Sequence, residues 1–545
     1  MMKKTIKKLL AALLAVAMVC AMAIPAFAYN PGETEENLNG THGYSAFQIF
    51  KGVISKDNPT LSGVDWGQNI TEPDIFLANL KNDPTIGEKF ETAATAQEVL
   101  AVISQWSNSD DNSIAFARVV CSYLYPNADA KPEPVITDHT GGINIPKSGY
   151  YLIVDTTYFN PGDYYHAYNS FFLLNVPQVP YVVPINRKVV KPTVEKEVYD
   201  NQDGANEAGF GSSADHAINE EFQFKLTATL PANPDRAYDY YDEYMVTFCD
   251  TLSAGITFDR WDTVVINNGG ADIPIPAENY YSDASNQDLT LSIEDVKTCA
   301  PGLNLNNGAT ITVTYTAHLN EKAYVNTAGG ASNTENKNSV YLIYSNNPRS
   351  SAFFDRTPES AVCVYTYQLN NTKYRDEVNE NNKLEGAGFR LYSNEACTEE
   401  QEVKLYKKGN FYYPIKDATD KAQDAVEMFS DEHGQFNVKG LDAGTYYLKE
   451  TFAPKGYNKL SDPVKVTINA TINKTTGALE SWTVNGSAPT ADVTVPVVKI
   501  ENKKGALLPD TGGMGTVLFT VFGVLIVALG AGWYVKSNRK SRHAA

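Results

Sequence analysis

Residues Ala443–Tyr457 read AGTYYLKETFAPKGY. Thr445–Leu448 has the β-branched and aromatic content of a strand. The period-two alternation of a strand sets Leu448 and Glu450 on one face, so a carboxyl group shares a side with an apolar residue. Phe389–Tyr392 and Val493–Ile500 read as strands in the same region. Short, regularly spaced strands predict a β-sandwich over residues 361–505. Working towards the N-terminus, residues 188–360 repeat the pattern, with strands at Phe222–Leu226, Tyr244–Phe248, Thr310–Tyr315 and Val340–Tyr344 and Asn-Gly and Gly-Gly turns between them. The breaker cluster Ser345-Asn-Asn-Pro-Arg-Ser-Ser351 marks the boundary between the two regions. Residues 29–187 mix strands (Tyr44–Phe50, Gly149–Asp155) with helices near Ala96–Trp106 and Ile114–Leu124. Val99, Leu100, Ile103 and Trp106 fall at helical spacing. Pro177, Pro180, Pro184 and Pro192 then form a semi-rigid connector. The expected fold is mainly β, with tandem sandwiches after a mixed α/β N-terminal domain.

Composition narrows the function. The chain has 545 residues, 43% hydrophobic and 20% charged, which favours a folded chain over a disordered one. Its formal charge is -19. Residues 1–28 and 512–545 hold eight Lys and Arg and no acids, so the segment between carries 37 - 64 = -27. Such an acidic body excludes nucleic acid and anionic membrane as partners. Beyond Cys20, the five cysteines Cys121, Cys249, Cys299, Cys363 and Cys397 form no CxxC pair. No zinc or redox motif is indicated, and a disulfide between Cys249 and Cys299 is left open. No nucleotide loop, HExxH or nucleophile elbow is present, so no metal or cofactor is expected. Asp200-Asn-Gln-Asp-Gly204 lacks the later ligands of a calcium loop and reads as a turn. Asp235, Asp239, Asp242 and Glu243 read as a solvated acidic loop.

The two ends give an address. Lys3, Lys4, Lys7 and Lys8 precede an apolar run that ends at Ala26-Phe27-Ala28, the order of a secretory signal peptide (residues 1–28) cleaved after Ala28. Near the other end, Leu508-Pro509-Asp510-Thr511-Gly512, within segment 506–513, matches the LPxTG sorting motif. Pro509 bends the chain towards a cleft. Thr511 supplies the acyl carbon for a sortase cysteine, which forms a thioester, and Gly512 leaves without steric obstruction. Residues 514–535 are long and apolar enough to cross a bilayer. The basic tail 536–545, with Lys536, Arg539, Lys540 and Arg542, stays on the cytoplasmic side. The expectation is an exported protein, held briefly in the membrane and then joined to peptidoglycan at the cell surface.

Several phrases carry a more specific resemblance: Tyr44–Gly52 (YSAFQIFKG), Gly149–Asp155 (GYYLIVD), Lys191–Val198 (KPTVEKEV), Phe248–Gly255 (FCDTLSAG), Asn338–Pro348 (NSVYLIYSNNP), Leu384–Phe389 (LEGAGF) and Ala443–Tyr457. Over essentially its full length the chain resembles the major subunit of sortase-assembled Gram-positive pili. The last phrase is similar to the signature of collagen-adhesin B-type (CnaB-like) domains, and the middle region resembles the A-type (CnaA-like) relative. The resemblance implies immunoglobulin-like sandwiches in which a first-strand Lys condenses with a last-strand Asn, assisted by a buried acid. A desolvated lysine becomes a nucleophile, and a carboxyl in the same core can shuttle protons as ammonia leaves. The matching triples are Lys373, Glu450 and Asn502, with Lys383 as rival to Lys373, and Lys196, Asp250 and Asn338, with Asn346 as rival acceptor. Alternation supports both. Leu369 and Lys373 share a face, as do Ile500 and Asn502, and Val194, Lys196 and Val198, and Val246, Phe248 and Asp250. Lys51 with Asn175 is the offer of the N-terminal domain.

Shaft pilins of this kind also carry a polymerising lysine in a YPK-like motif. Here Pro184 is followed by Ile185, so Lys188, or failing it Lys191, is the substitute. The partners implied are pilus-class and housekeeping sortases, further copies of the chain, peptidoglycan, accessory pilins and host surface ligands. Two competing readings stand beside a pilus subunit: a wall-anchored monomeric adhesin or accessory (tip or basal) pilin, and a surface enzyme, for which no catalytic constellation exists outside the self-modifying triples.

Overall fold

The computed structural model describes residues 44–540 except 56–57, 107–109, 128–129, 139–141, 156–170, 177–180, 185–190, 202–207, 234–235, 327–335, 349–353, 416–423, 491 and 505–512. Ala28, Lys188 and the motif Leu508–Gly512 therefore lie outside the described residues.

The N-terminal body is built on one sheet in the order Asn58–Trp66, Tyr44–Ser55, Gly149–Asp155, Phe171–Val176, with Ile136–Asp138 also paired to Tyr44–Ser55. Alternation along Gly149–Asp155 divides its two faces. Leu152 and Val154 join Phe76, Val99, Phe116 and Val120 of the helices in one core. Tyr151 and Ile153 join Ile143 and Ile145 of the small ribbon Gly142–Ile145/Tyr181–Pro184 in another. The helices are Pro73–Asn82, Ala96–Ile103 and Asp111–Leu124. The first was not expected. Its signals are a proline in the first turn and buried Phe76, Leu77 and Leu80 on one side. The second starts at a capping box in which Thr95 and Glu98 satisfy each other's backbone N–H groups.

In the middle body two sheets face each other. One runs Ile273–Pro274, Ile256–Asn267, Ala309–Leu319, Glu221–Leu230, Thr193–Asp200, Gly209–Gly211. The other runs Ser213–Asp215, Ser360–Tyr365, Lys337–Ser345, Val246–Leu252, Asp288–Ile293, Tyr281–Ser285. Phe222, Phe224, Leu226 and Ala228 alternate inward against Val246, Phe248, Val340 and Leu342. Ser360–Tyr365 pairs with Lys337–Val340 and, in parallel, with Ser213–Asp215, so the sandwich runs on to Tyr365. The breakers at 345–351 thus lead into further strands of the same sheet rather than out of it.

The third body opposes Leu405–Lys408, Phe411–Pro414, Asn437–Leu441, Tyr367–Arg375 and Val497–Asn502 to Glu402–Val403, Gly388–Tyr392, Gly444–Phe452, Val464–Ile472 and Leu479–Val484. Its first and last strands are parallel neighbours, in register from Asn370↔Val497 to Arg375↔Asn502. The last strand begins at Val497 and not at Val493, because Val493 is exposed and closes a turn with Thr490. Beyond it, the helix Gly513–Lys540 contains Val517–Asn538, 22 residues of mean hydropathy 2.1 with none of that window buried. The five cysteines are thiols, so no disulfide joins Cys249 and Cys299; buried Cys299 gives its hydrogen to the Val296 carbonyl.

Two buried lysine–carboxyl–asparagine clusters

Lys373, Glu450 and Asn502 meet in the core of the third body. Tyr367–Arg375 and Val497–Asn502 bring the lysine and the asparagine in from one sheet, and Gly444–Phe452 brings the acid from the other. All three residues are buried. Lys373 Nζ donates to Asn502 Oδ1 at 2.6 Å and lies 3.3 Å from Glu450 Oε1. Asn502 Nδ2 donates to the same Oε1 at 2.8 Å, and the Leu460 N–H holds Oε2 at 2.8 Å. The ammonium sits 5.3 Å from the Phe389 ring centroid, and that ring is stacked on Phe436 at 4.5 Å. Burial pulls the Lys373 pKa down to about 8, against the opposing charge of Glu450. The rival Lys383 points elsewhere, donating to the Tyr374 hydroxyl at 2.9 Å.

In the middle body the three expected residues come from both sheets. Lys196 lies on Thr193–Asp200, Asp250 on Val246–Leu252 and Asn338 on Lys337–Ser345. Lys196 Nζ donates to Asp250 Oδ2 at 2.5 Å, with both side chains shut off from solvent. Burial lowers the Lys196 pKa to about 8 and raises that of Asp250, so each partner is driven towards its neutral form. A fourth group, absent from the sequence reading, joins them. The Tyr315 hydroxyl receives Lys196 Nζ at 2.9 Å and Asn338 Nδ2 at 2.6 Å, and donates to Asp250 Oδ2 at 2.8 Å. Asn338 Oδ1 and Asp250 Oδ1 are buried without a hydrogen-bond partner. Val340 pairs with Asp250 and Asn338 with the neighbouring Leu252, whereas Asn346 lies past the far end of its strand, away from the lysine and acid.

Other expected sites fare differently. Lys51 pairs with Asp65 at 2.9 Å on the surface, with side chains 56% and 62% exposed, and Asn175 is exposed too. Neither group is desolvated, so this pair lacks the feature that would make the lysine nucleophilic. Lys191 is half-buried just ahead of Thr193–Asp200. The acidic loop is not simply solvated: Arg236 binds Asp239, and Arg118 of helix Asp111–Leu124 binds Asp242. Asp200, read as part of a turn, is a buried strand end paired with Lys474 at 3.1 Å.

Residues 369–480 match the SpaA family, described as a prealbumin-like fold domain, and residues 500–542 match the LPXTG cell wall anchor motif. The chain is 24% identical over 396 residues to the trypsin-resistant surface T6 protein of Streptococcus pyogenes serotype M6, covering 60% of this chain and 66%, just under two thirds, of that relative. Similar solved structures include the T6 backbone pilin of serotype M6 Streptococcus pyogenes, at 16% identity over 86% of this chain and 97% of the other, with a TM-score of 0.45. Another is the pilus 2b backbone protein of group B streptococcus, at 22% identity over 58% and 99%, with a TM-score of 0.39. The mainly β fold and the anchor signature define a surface protein fixed to the cell wall. More specifically, the chain is similar to sortase-assembled Gram-positive pilins.

Proposed function

We propose that this chain is a pilin, a shaft subunit polymerised covalently through Thr511 and Lys188 and sealed internally by an isopeptide bond in each sandwich. The observation that carries the internal bonds is the meeting of Lys373 Nζ with Asn502 Oδ1 at 2.6 Å beside Glu450. In its neutral form, the Lys373 amine adds to Asn502 Cγ. The new N–C bond forms, the Cγ–Nδ2 bond breaks, and one amine hydrogen passes by way of Glu450 to the departing nitrogen, which leaves as ammonia. Lys196 and Asn338 condense in the same way, with Asp250 as the shuttle. Each bond forms once and does not turn over.

Polymerisation uses chemistry outside the sandwiches. A pilus-class sortase cleaves after Thr511 and passes the acyl group to Lys188 of another copy, and a housekeeping sortase passes the last copy to peptidoglycan. Lys188 lies just before the Lys191–Val198 phrase, in the connector between the first two bodies. The test is an immunoblot of a muramidase-released wall extract boiled in detergent. A ladder of high-mass species that collapses with Lys188→Ala is expected. A ladder lost only with Lys191→Ala moves the link to that residue, and a single wall-linked band in the unaltered strain overturns the shaft assignment.

A further inference from the structure

The joint between the second and third bodies buries a cluster that the cross-linking chemistry does not use. Backbone bonds fasten the joint: Ile218 N–H to the Gly440 carbonyl at 2.9 Å and Ser212 N–H to the Lys474 carbonyl at 2.9 Å. Beneath them lie Asp200, Asp215, His216 and Asp442, all buried, and Glu220, a third exposed. Lys474 pairs with Asp200. Glu220 and Asp442 lie around one imidazole, that of His216.

His216 shows where a cation belongs. Its Nε2 is 2.8 Å from the Tyr199 carbonyl, which can only accept, so Nε2 carries a hydrogen. The ring lies flat on Phe222, with centroids 4.3 Å apart and 2° between planes, which fixes its rotation. Nδ1 is buried, has no hydrogen-bond partner, and faces Glu220 Oε1 at 3.4 Å. In a neutral ring two lone pairs would face each other, so a proton or a metal cation belongs between these two atoms. A backbone carbonyl that takes one ring N–H and aims the other nitrogen inward is the usual support for a metal-binding histidine. Donor atoms of His216, Glu220 and Asp442 all lie within 4.8 Å of one another. Asn201 Nδ2 bridges the two carboxylates at 2.9 and 3.2 Å, while its Oδ1 is buried without a partner. Turned over, that amide offers a fourth oxygen.

We propose that this joint holds one divalent transition-metal cation on His216 Nδ1, a Glu220 oxygen and an Asp442 oxygen, clamping the two sandwiches together. One imidazole nitrogen with carboxylate oxygens suits zinc better than calcium or magnesium, which take all-oxygen shells. Glu220, a third open to solvent, is the route of entry.

The test is equilibrium dialysis of the full chain in detergent, stripped with chelator, against Zn2+, with bound metal measured by elemental analysis. One tightly held equivalent is expected. His216→Gln should weaken it by about tenfold or more, the scale typical of lost support at metal sites. Glu220→Gln, at a partly exposed position that leaves the fold alone, should weaken it similarly. Asp442→Asn removes a ligand from the other body and should both release the metal and speed proteolysis between the sandwiches. The proposal fails if no equivalent is retained, if the variants bind as the parent does, or if Ca2+ displaces Zn2+ at equal concentration. It fails equally if NMR shows His216 as an imidazolium unaffected by added Zn2+, since a proton then fills the place given to the metal.

Discussion

Tyr315 is the residue on which the two buried clusters differ. In the third body lysine and asparagine touch directly, whereas in the middle body the phenol stands among lysine, acid and amide. Its hydroxyl orients Asn338, and the ring is packed against Phe224, Phe258 and Trp261. Tyr315→Phe keeps that packing and removes only the orienting hydroxyl. Intact mass after folding should show the middle bond forming more slowly than in the parent; an unchanged time course removes Tyr315 from the reaction. By the same readout Glu450→Ala should regain one ammonia. Its third body should also lose about 5 kcal/mol of stability, the chain-entropy value for a loop of that length. Acidity offers a separate check. Lys373 is held by burial at about 8 against 10.5 in its ordinary state. In Asn502→Ala, which cannot condense, the folded chain binds fewer protons than the unfolded one between those values. Stability therefore rises with pH across that interval and is level below it. Melting curves should show this step against Lys373→Met/Asn502→Ala, and parallel curves would refute it. The lysines, acids and asparagines were picked out by the family resemblance, with strand alternation among apolar neighbours as support. Tyr315 was not, since a strand-rich chain with 33 tyrosines gives no sign of which one reaches a buried lysine.

Among the elements, the joint between sandwiches depends on one glycine. Gly440 has φ of +81°, and a Cβ there would lie 2.4 Å from Ile218 Cδ1. Gly440→Ala meets both a strained backbone and the side chain of the neighbouring body, at a cost of roughly 1–3 kcal/mol. It should expose the joint to limited proteolysis while leaving the melting of the isolated N-terminal helices' core unchanged. Equal resistance to that of the parent would mean the joint adjusts freely. Strands with a clean alternation were readable in the sequence: Phe222–Leu226 lies inside the observed Glu221–Leu230, and Gly149–Asp155 falls where expected. Val493 misled because a valine-rich run looks the same whether it is a strand or the turn before one. The joint itself was invisible, since its partners, Asn201 and Asp442, lie 241 residues apart and no local period links them.

At the scale of the whole molecule, the chain enters the third body at Tyr367 and leaves it after Asn502 along two parallel, adjacent strands. A pull on the two ends therefore slides these strands past each other lengthwise. Six register pairs then resist together, where an antiparallel pair pulled from one end would open one rung at a time. The sequence separation of 129 from Lys373 to Asn502 could otherwise release roughly 430 Å of slack at about 3.3 Å per residue. With the two strands joined by the proposed bond, that length would stay stored. A bacterium tethered by the proposed fibre would gain a stiff line that hands a sudden jerk straight to its wall, with no give along the way.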